Sequence, residues 1–174
     1  GRRILGKEQF GELGMVRSTI GMFIILGAGG IGVTATRFIS LYRREQQAHA
    51  ASIYKLSTRF ATTLGILTTL ILLFSAGFLS NNILASSRLA FPMTIGCIVL
   101  FFSVLNSSEN GTLAGFEDFR AIAINTFIGS IVESVGMIVG AYFYQIEGAI
   151  AGFGIGVLSL YLTNKVSAIK NLRR

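Results

Sequence analysis

Long apolar stretches alternate with short polar stretches along the whole chain. One apolar stretch, FATTLGILTTLILLFSAGFL, has no charged residue, and about 20 helical residues are enough to cross the hydrocarbon core of a membrane. The pattern predicts an all-α fold, a polytopic transmembrane helical bundle of about five full spans. The predicted spans are residues 13–41, 59–79, 89–113, 121–144 and 148–166.

The polar stretches between the predicted spans are all short. They read YRREQQAHAASIYK, SNNILASSR, GFEDFR and YQIEG. Short connections place consecutive helices next to each other and antiparallel. We therefore expect one membrane domain over residues 1–174. The opening GRRILGKEQFGE is too polar to span by itself and is interpreted as the tail of a preceding helix.

Composition supports a membrane protein. Hydrophobic residues make up 52% of the chain and charged residues 13%, whereas soluble domains carry about 25% charged residues. The mean hydropathy is +0.66. These values are typical of a chain that is embedded in lipid.

The basic residues predict the orientation, because Lys and Arg concentrate in cytoplasmic segments of membrane proteins. If five helices alternate, the loop between the first two spans and the C-terminus lie on the same side. That side is predicted to be cytoplasmic, in a multi-pass protein of the cell (inner or plasma) membrane. The formal net charge of +7 is then mainly a topology signal and a contact with lipid head groups, and nucleic acid is not an expected partner. The basic residues on that side include Arg43, Arg44, Lys55, Lys165, Lys170, Arg173 and Arg174.

A glycine motif in the first span imitates a dinucleotide-binding fingerprint. Gly27, Gly29 and Gly32 have the spacing G-x-G-x-x-G, which requires a strand, a helix and a ribose-binding acid about 20 residues on. Glu45 is the one acid at that distance, and it falls in the hydrophilic end of the same helical pattern. The motif therefore does not predict a nucleotide site, and no cofactor is expected.

The small residues of the first span have a better explanation in helix packing. At about 100° per residue they fall within an arc of about 60° on one helix face. Small residues allow helix backbones to approach closely in lipid, so Gly21 and Gly32 are predicted packing positions. The face consists of Gly14, Arg17, Gly21, Ala28, Gly32 and Ala35.

The fourth predicted span carries a carboxylate on a similar face. Asn125, Gly129, Glu133, Gly136 and Gly140 fall within about 80° of one another on a helical wheel. A charge at this depth costs at least about 2.5 kcal/mol and usually lines an aqueous path or has a partner. Glu133 is therefore a candidate proton or cation site, or a polar wall of a cavity. The alternative is a protonated Glu133 that is hydrogen-bonded only for packing.

Other polar residues are weaker candidates for a substrate cavity or a coupling site. Arg17 either lines a cavity or extends its side chain to the outer interface. Arg37 points away from the small face and is expected to contact head groups. Glu109, with Asn106 and Asn110, either lines the mouth of a pore or is ordinary polarity at a helix end.

The remaining motifs favour packing over chemistry. Gly148, Gly152 and Gly156 form a doubled G-x-x-x-G, a helix-packing pattern. Cys97 is interpreted as a small core residue, and His49 has no cluster of metal ligands around it. With no nucleophile and base set and no paired ligands, we expect neither an enzyme nor a metal site.

Two segments resemble a known transporter family. LGKEQFGELGMVRSTIGMFIILGAGGIGVTATRFISLYR, and GTLAGFEDFRAIAINTFIGS followed by EGAIAGFGIG, are similar to the polysaccharide biosynthesis and oligosaccharide flippase family. That family belongs to the superfamily of multidrug and toxin extruders. The resemblance implies two six-helix lobes related by pseudo-twofold symmetry. The chain would then be most of one N-terminal lobe, with the second lobe of the transporter as its partner.

The same resemblance implies a function. Such transporters move lipid-linked oligosaccharide or polysaccharide units by alternating access, and Arg17 is the position that matches a basic residue for the carrier's diphosphate. Two alternatives remain open. One is a cation-coupled multidrug exporter of the same superfamily, with Glu133 carrying the ion, and the other is a non-transporting membrane subunit of a glycan-assembly complex.

Overall fold

The structure, a computed structural model, describes residues 7–28, 30–42, 47–78 and 90–173. Within these ranges the chain contains helices and turns and no strand, which confirms the predicted all-α fold. The helices are α1 (Lys7–Ala28), α2 (Ile31–Tyr42), α3 (Gln47–Phe78), α4 (Ala90–Gly115) and α5 (Phe119–Leu172).

Among the described residues, four helical stretches are long and apolar enough to cross a membrane. They are Phe10–Tyr42, which joins α1 and α2, His49–Ser75, Pro92–Gly115 and Phe119–Leu172. Large apolar side chains are exposed along all of these stretches, as expected for surfaces that contact lipid chains. The chain is therefore a polytopic membrane bundle, as the sequence predicts.

The first predicted span is broken in the middle. The sequence pattern predicts one helix over residues 13–41, but Gly30 has a φ of +77° and separates α1 from α2. Glycine reaches this conformation without the steric penalty of a side chain, and Gly29 lies outside the described residues. The break divides the predicted small-residue face into two parts.

The two parts of that face have different surroundings. A Cβ built on Gly32 would lie 2.9 Å from the carbonyl oxygen of Ser107 in α4, so α2 and α4 are in close contact here. A Cβ built on Gly21 meets no described atom within 4 Å. Gly21 therefore has no close helix contact among the described residues, and its packing role stays a prediction.

Helix α3 begins earlier than predicted. The span was expected to start at residue 59 after a polar break, but the helix is continuous from Gln47. The sequence that begins this helix, QAHAAS, contains three alanines, and alanine has the highest intrinsic helix propensity. Tyr54, which falls in the predicted polar break, therefore lies within helix α3.

Helix α5 folds back on itself. Tyr144 (φ −130°, ψ 20°) and Gln145 (φ 53°, ψ −128°) depart from helical geometry, and they separate a first arm (119–143) from a second arm (146–172). Asp118 caps the first arm by accepting a hydrogen bond from the Ala121 amide at 3.1 Å. The break falls between the predicted spans 121–144 and 148–166, so α5 accounts for two of the five predicted spans.

Glycines hold the two arms of α5 together. A Cβ on Gly136 would lie 2.9 Å from the carbonyl oxygen of Gly152, so neither position has room for a side chain. The doubled G-x-x-x-G of the second arm meets the small residues of the first arm along one line. The facing pairs are Gly129 with Leu160, Glu133 with Gly156, Gly136 with Gly152, and Gly140 with Gly148.

Helix α4 is the central element of the bundle. It packs against α1, α2, α3 and α5, and 56% of its span is buried inside the protein, compared with 24% or less for each of the other spans. The apolar core around it includes Val16, Ile20, Leu72, Met93, Leu100, Val104 and Ile150. Several polar side chains on α4, among them Ser108, Glu109 and Thr112, are therefore buried against other helices.

Candidate functional site

An ion pair joins α1 to the first arm of α5. Arg17 Nη2 lies 2.9 Å from Glu133 Oε1. The sequence analysis selected both residues, each from the small face of its own helix, but it did not pair them. The structure brings them together because the N-terminal part of α1 packs against α5.

Two further side chains surround the guanidinium group. Arg17 Cζ lies 4.5 Å from the centroid of the Phe153 ring on the second arm, a distance suited to a cation–π interaction. Arg17 Nη1 lies 3.8 Å from the sulfur of Met137. We call Arg17, Glu133, Met137 and Phe153 the Arg17 cluster.

The Arg17 cluster is open to the surroundings of the bundle. The side chain of Arg17 is 44% exposed and that of Glu133 27% exposed, and Glu133 lies near the middle of the first arm. Ionised groups at this depth are costly when they face hydrocarbon, and they usually face protein or a water-filled cavity. The arrangement is chemically suited to an anion, because the guanidinium fork matches both carboxylate and phosphate.

A ladder of asparagines crosses the bundle at another level. Asn125 Nδ2 donates to Asn164 Oδ1 at 2.9 Å and lies 3.1 Å from Ser167 Oγ. Asn164 Nδ2 donates to Asn106 Oδ1 at 2.9 Å. The ladder ties α4 to both arms of α5. Asn125, which was a cavity candidate, is only 7% exposed and links the helices in this conformation.

Glu109 lies in the interior of the bundle. It was expected to line the mouth of a pore or to be ordinary polarity at a helix end. Its side chain is only 1% exposed, because α4 is covered by α3 and α5 at this level. Tyr54 Oη donates a hydrogen bond to Glu109 Oε1 at 3.2 Å, and Oε2 has no partner among the described residues. Both expectations for Glu109 are corrected.

Arg37 and Asn110 are not brought into these polar groups. Arg37 is exposed on α2, and no described acidic side chain forms an ion pair with it. Asn110 is exposed beside a pocket of about 330 Å³ between α2 and α4, which Gly30, Thr36 and Gly111 also line.

A larger groove lies away from all of these polar groups. It has a volume of about 620 Å³, lies between α2 and α3, and is mainly apolar, with Ile31, Phe38, Phe60 and Leu64 among its walls. Among the described residues no three His, Cys, Asp or Glu side chains are grouped so that they could hold a metal ion.

Sequence reasoning missed several residues that contact the candidates or lie near them. Asn164 and Tyr161 lie within the predicted span 148–166, and Lys165 was read only as a topology signal. A buried amide in an apolar span is itself a signal, since polar residues in spans commonly bond to a neighbouring helix. Tyr54 and Phe153 gave no comparable signal, because aromatic residues are frequent in lipid-facing positions.

The comparisons with known proteins give one match. The sequence model of the family described as "Polysaccharide biosynthesis protein" matches residues 2–172. No curated protein and no solved structure shows a significant match. The matched range includes every residue of the Arg17 cluster.

Proposed function

Because the chain belongs to the polysaccharide biosynthesis protein family, we propose that it flips or exports lipid-linked oligosaccharide or polysaccharide units. The polar head of such a lipid must pass the depth of the hydrocarbon core. Its path therefore needs polar groups at that depth, and these groups must be reachable from outside the packed core.

The Arg17 cluster is the observation that carries this proposal. Arg17 is a cationic side chain within a membrane-length helix, is nearly half exposed and lies 2.9 Å from a carboxylate. A guanidinium group can bind a phosphate through two parallel hydrogen bonds. Glu133, at 2.9 Å, balances the charge of Arg17 when no phosphate is bound, and the phosphate of a lipid carrier would replace this carboxylate.

The surroundings of Arg17 support exchange of its anionic partner. Phe153 covers one face of the guanidinium and Met137 contacts one nitrogen, so the side chain keeps its position when Glu133 is displaced. An anion that must compete with Glu133 binds weakly enough to be released. Such reversible binding suits a transporter, in which the substrate has to leave on the other side.

We further propose that this bundle is part of the N-terminal six-helix lobe of a larger transporter. Alternating access requires two halves that move about a shared site. The open side of the Arg17 cluster would then face the second lobe across the translocation path. In this arrangement the ion pair borders water and protein, which removes the cost of facing lipid.

The cation-coupled drug exporter was the main rival, with Glu133 as the ion-binding residue. The pairing of Glu133 with Arg17 disfavours that role, because the guanidinium already supplies the positive charge that a bound cation would bring. The other alternative, a non-transporting membrane subunit of a glycan-assembly complex, is tested by comparing export with and without the gene.

The test is export of a lipid-linked glycan in cells that carry the gene, at matched protein levels in the membrane. Loss of one charged hydrogen bond is worth about 1.5–3 kcal/mol, so Arg17→Ala is expected to lower export about 10- to 100-fold. Arg17→Lys should retain part of the activity, since it keeps the charge but loses the fork. Arg120→Ala, a change of an exposed arginine at the start of α5, is the matched control.

One outcome would reject the proposed site, and a different outcome would reject the proposed function. Export that depends on the gene but is unchanged in Arg17→Ala and Glu133→Gln would reject the Arg17 cluster as part of the path. Export that is the same with and without the gene would reject the transport function and favour the non-transporting subunit.

A further inference from the structure

Glu109 is the most deeply buried carboxyl group of the described residues. It lies about two turns before the end of α4 and is 1% exposed. Helices α3 and α5 cover it from two sides, and Asn106, one turn earlier on α4, belongs to the asparagine ladder. The carboxyl group is therefore enclosed by protein.

The hydrogen bonds of Glu109 suit a neutral acid better than a carboxylate. An ionised carboxylate is an acceptor only, with about four lone-pair sites. Here one donor is present, Tyr54 Oη at 3.2 Å from Oε1, and Oε2 has no partner among the described residues. A buried carboxylate without adequate partners is strongly disfavoured and takes up a proton instead.

A cation stands close to Glu109 without contacting it. Lys165 of the second arm interacts electrostatically with the carboxyl group. Its Nζ instead lies 3.1 Å from Tyr161 Oη and 5.3 Å from the centroid of the Tyr161 ring. From α1 and α2, which also pack against α4, no described titratable side chain interacts with Glu109. Its charged and titratable neighbours are therefore Tyr54 on α3 and Lys165, with Tyr161, on α5.

The two carboxyl groups of the spans thus differ in environment. Glu133 is partly exposed and paired with Arg17 at 2.9 Å. Glu109 is enclosed and has one neutral donor. Carboxyl groups whose environments differ in this way tend towards different protonation states.

We propose that Glu109 is a proton-binding site of this bundle, distinct from the Arg17 cluster. In the packing seen here the proton is on Oε2 and Oε1 accepts from Tyr54. When α3 or the second arm moves, the O–H bond at Oε2 breaks and the proton passes to water. The carboxylate that remains gains Lys165 as its counter-ion once Nζ leaves Tyr161. A proton gradient would act on the bundle through Glu109, and Glu133 would stay paired.

The first test is labelling with a hydrophobic carbodiimide, which reacts with protonated carboxyl groups in apolar surroundings. The purified protein is labelled over a pH series and the modified peptides are identified by mass spectrometry. We expect a label on Glu109 that decreases as the pH rises, and its absence in Glu109→Gln. Glu147→Gln, a change of an exposed glutamate after the turn of α5, should leave the labelling of Glu109 unchanged.

Tyr54→Phe makes the test specific to the site. The substitution removes one hydroxyl group and with it the donor that stabilises the carboxylate. Labelling of Glu109 should then persist to higher pH than in the wild type. Elution of the variant at the wild-type volume in size-exclusion chromatography controls for folding.

Infrared spectroscopy covers the case in which the reagent cannot reach the site. A protonated carboxyl group has a carbonyl band that should be present in the wild type and in Glu147→Gln and absent in Glu109→Gln. A carbodiimide label on Glu109 that does not change with pH would overturn the proposal, and so would a carbonyl band that does not change with pH. The absence of both the label and the band would also overturn it. Neither measurement involves a glycan, so the result is independent of the proposed transport function.

Discussion

Several polar side chains inside this bundle have partners on other helices. Arg17 pairs with Glu133 across α1 and α5, Tyr54 bonds to Glu109 across α3 and α4, and Asn164 joins α4 to both arms of α5. Hydrogen bonds of this kind between membrane helices contribute about 0.6 kcal/mol on average and up to about 1.7. Each residue therefore holds helices in register in addition to its chemical role.

The sequence identified candidate residues but did not identify their partners. A helical wheel placed Arg17 and Glu133 on small faces and so selected them. It could not pair them, because they are 116 positions apart and a wheel shows a face without its neighbour. For the same reason Glu109 was expected either at a pore mouth or as ordinary polarity at a helix end, although it is buried inside the bundle.

Asn164 tests the asparagine ladder. Asn164→Leu removes two hydrogen bonds and leaves the amides of Asn125 and Asn106 without this partner. We expect a loss of about 1–3 kcal/mol in the free energy of unfolding, measured by denaturant unfolding in detergent.

The neighbouring residue provides the control for Asn164. The Thr163 hydroxyl bonds only to carbonyl groups of its own helix, at Ser159 and Leu160. Thr163→Val should therefore change stability much less. Equal losses in Asn164→Leu and Thr163→Val would contradict a role of the ladder between helices.

The helices follow the apolar pattern, except for the early start of α3 at Gln47 and the break at Gly30. The predicted boundary between the last two spans coincides with the turn at Tyr144 and Gln145. The break between α1 and α2 was missed, because Gly30 lies in an unbroken apolar run and its φ of +77° has no hydropathy signal. Gly136 and Gly152 show a second role of glycine. Because they have no side chains, the backbones of the two arms of α5 can approach closely at these positions.

A pair of identical substitutions tests the packing of the arms. A Cβ on Gly136 would lie 2.9 Å from the Gly152 carbonyl oxygen, so Gly136→Ala should separate the arms and destabilise the protein by about 1–3 kcal/mol. Gly21 has no described atom within 4 Å of its Cβ position. Gly21→Ala should be neutral or stabilise α1 by about 0.5–1 kcal/mol, the usual gain of alanine over glycine in a helix.

Thermal unfolding of the two variants in the same detergent is the measurement. A loss of stability in Gly21→Ala as large as that in Gly136→Ala would show that Gly21 also faces a packed surface. Wild-type stability in Gly136→Ala would contradict the close contact of the two arms.

The bundle as a whole has two distinct ends. Asn171 Nδ2 donates to Asp118 Oδ2 at 2.7 Å, so the C-terminal end of α5 lies beside the turn that joins α4 to α5. The turn at Tyr144 and Gln145 lies at the opposite end. Because Lys170 and Arg173 are at the first end, the positive-inside rule predicts that this end is cytoplasmic.

Cysteine accessibility tests this orientation. In a Cys97→Ala background, which removes the buried native thiol, Glu147→Cys should react with a membrane-impermeant thiol reagent added to intact cells. Arg173→Cys should react only after the cells are permeabilised. Both original side chains are exposed. The two introduced cysteines should therefore differ mainly in the side of the membrane on which they lie. The reverse pattern of labelling would contradict the proposed orientation.

The apolar pattern of the chain was sufficient for the fold class and the approximate spans, and the family match confirms the resemblance seen in particular segments. These properties depend on local composition, because a helix in lipid satisfies its own backbone hydrogen bonds and needs only enough apolar residues to span. The partners of Arg17, Asn125 and Glu109 depend on which helices meet and at what depth. That arrangement results from the glycine contacts, the Gly30 break and the central position of α4, and none of these can be read from one helix at a time.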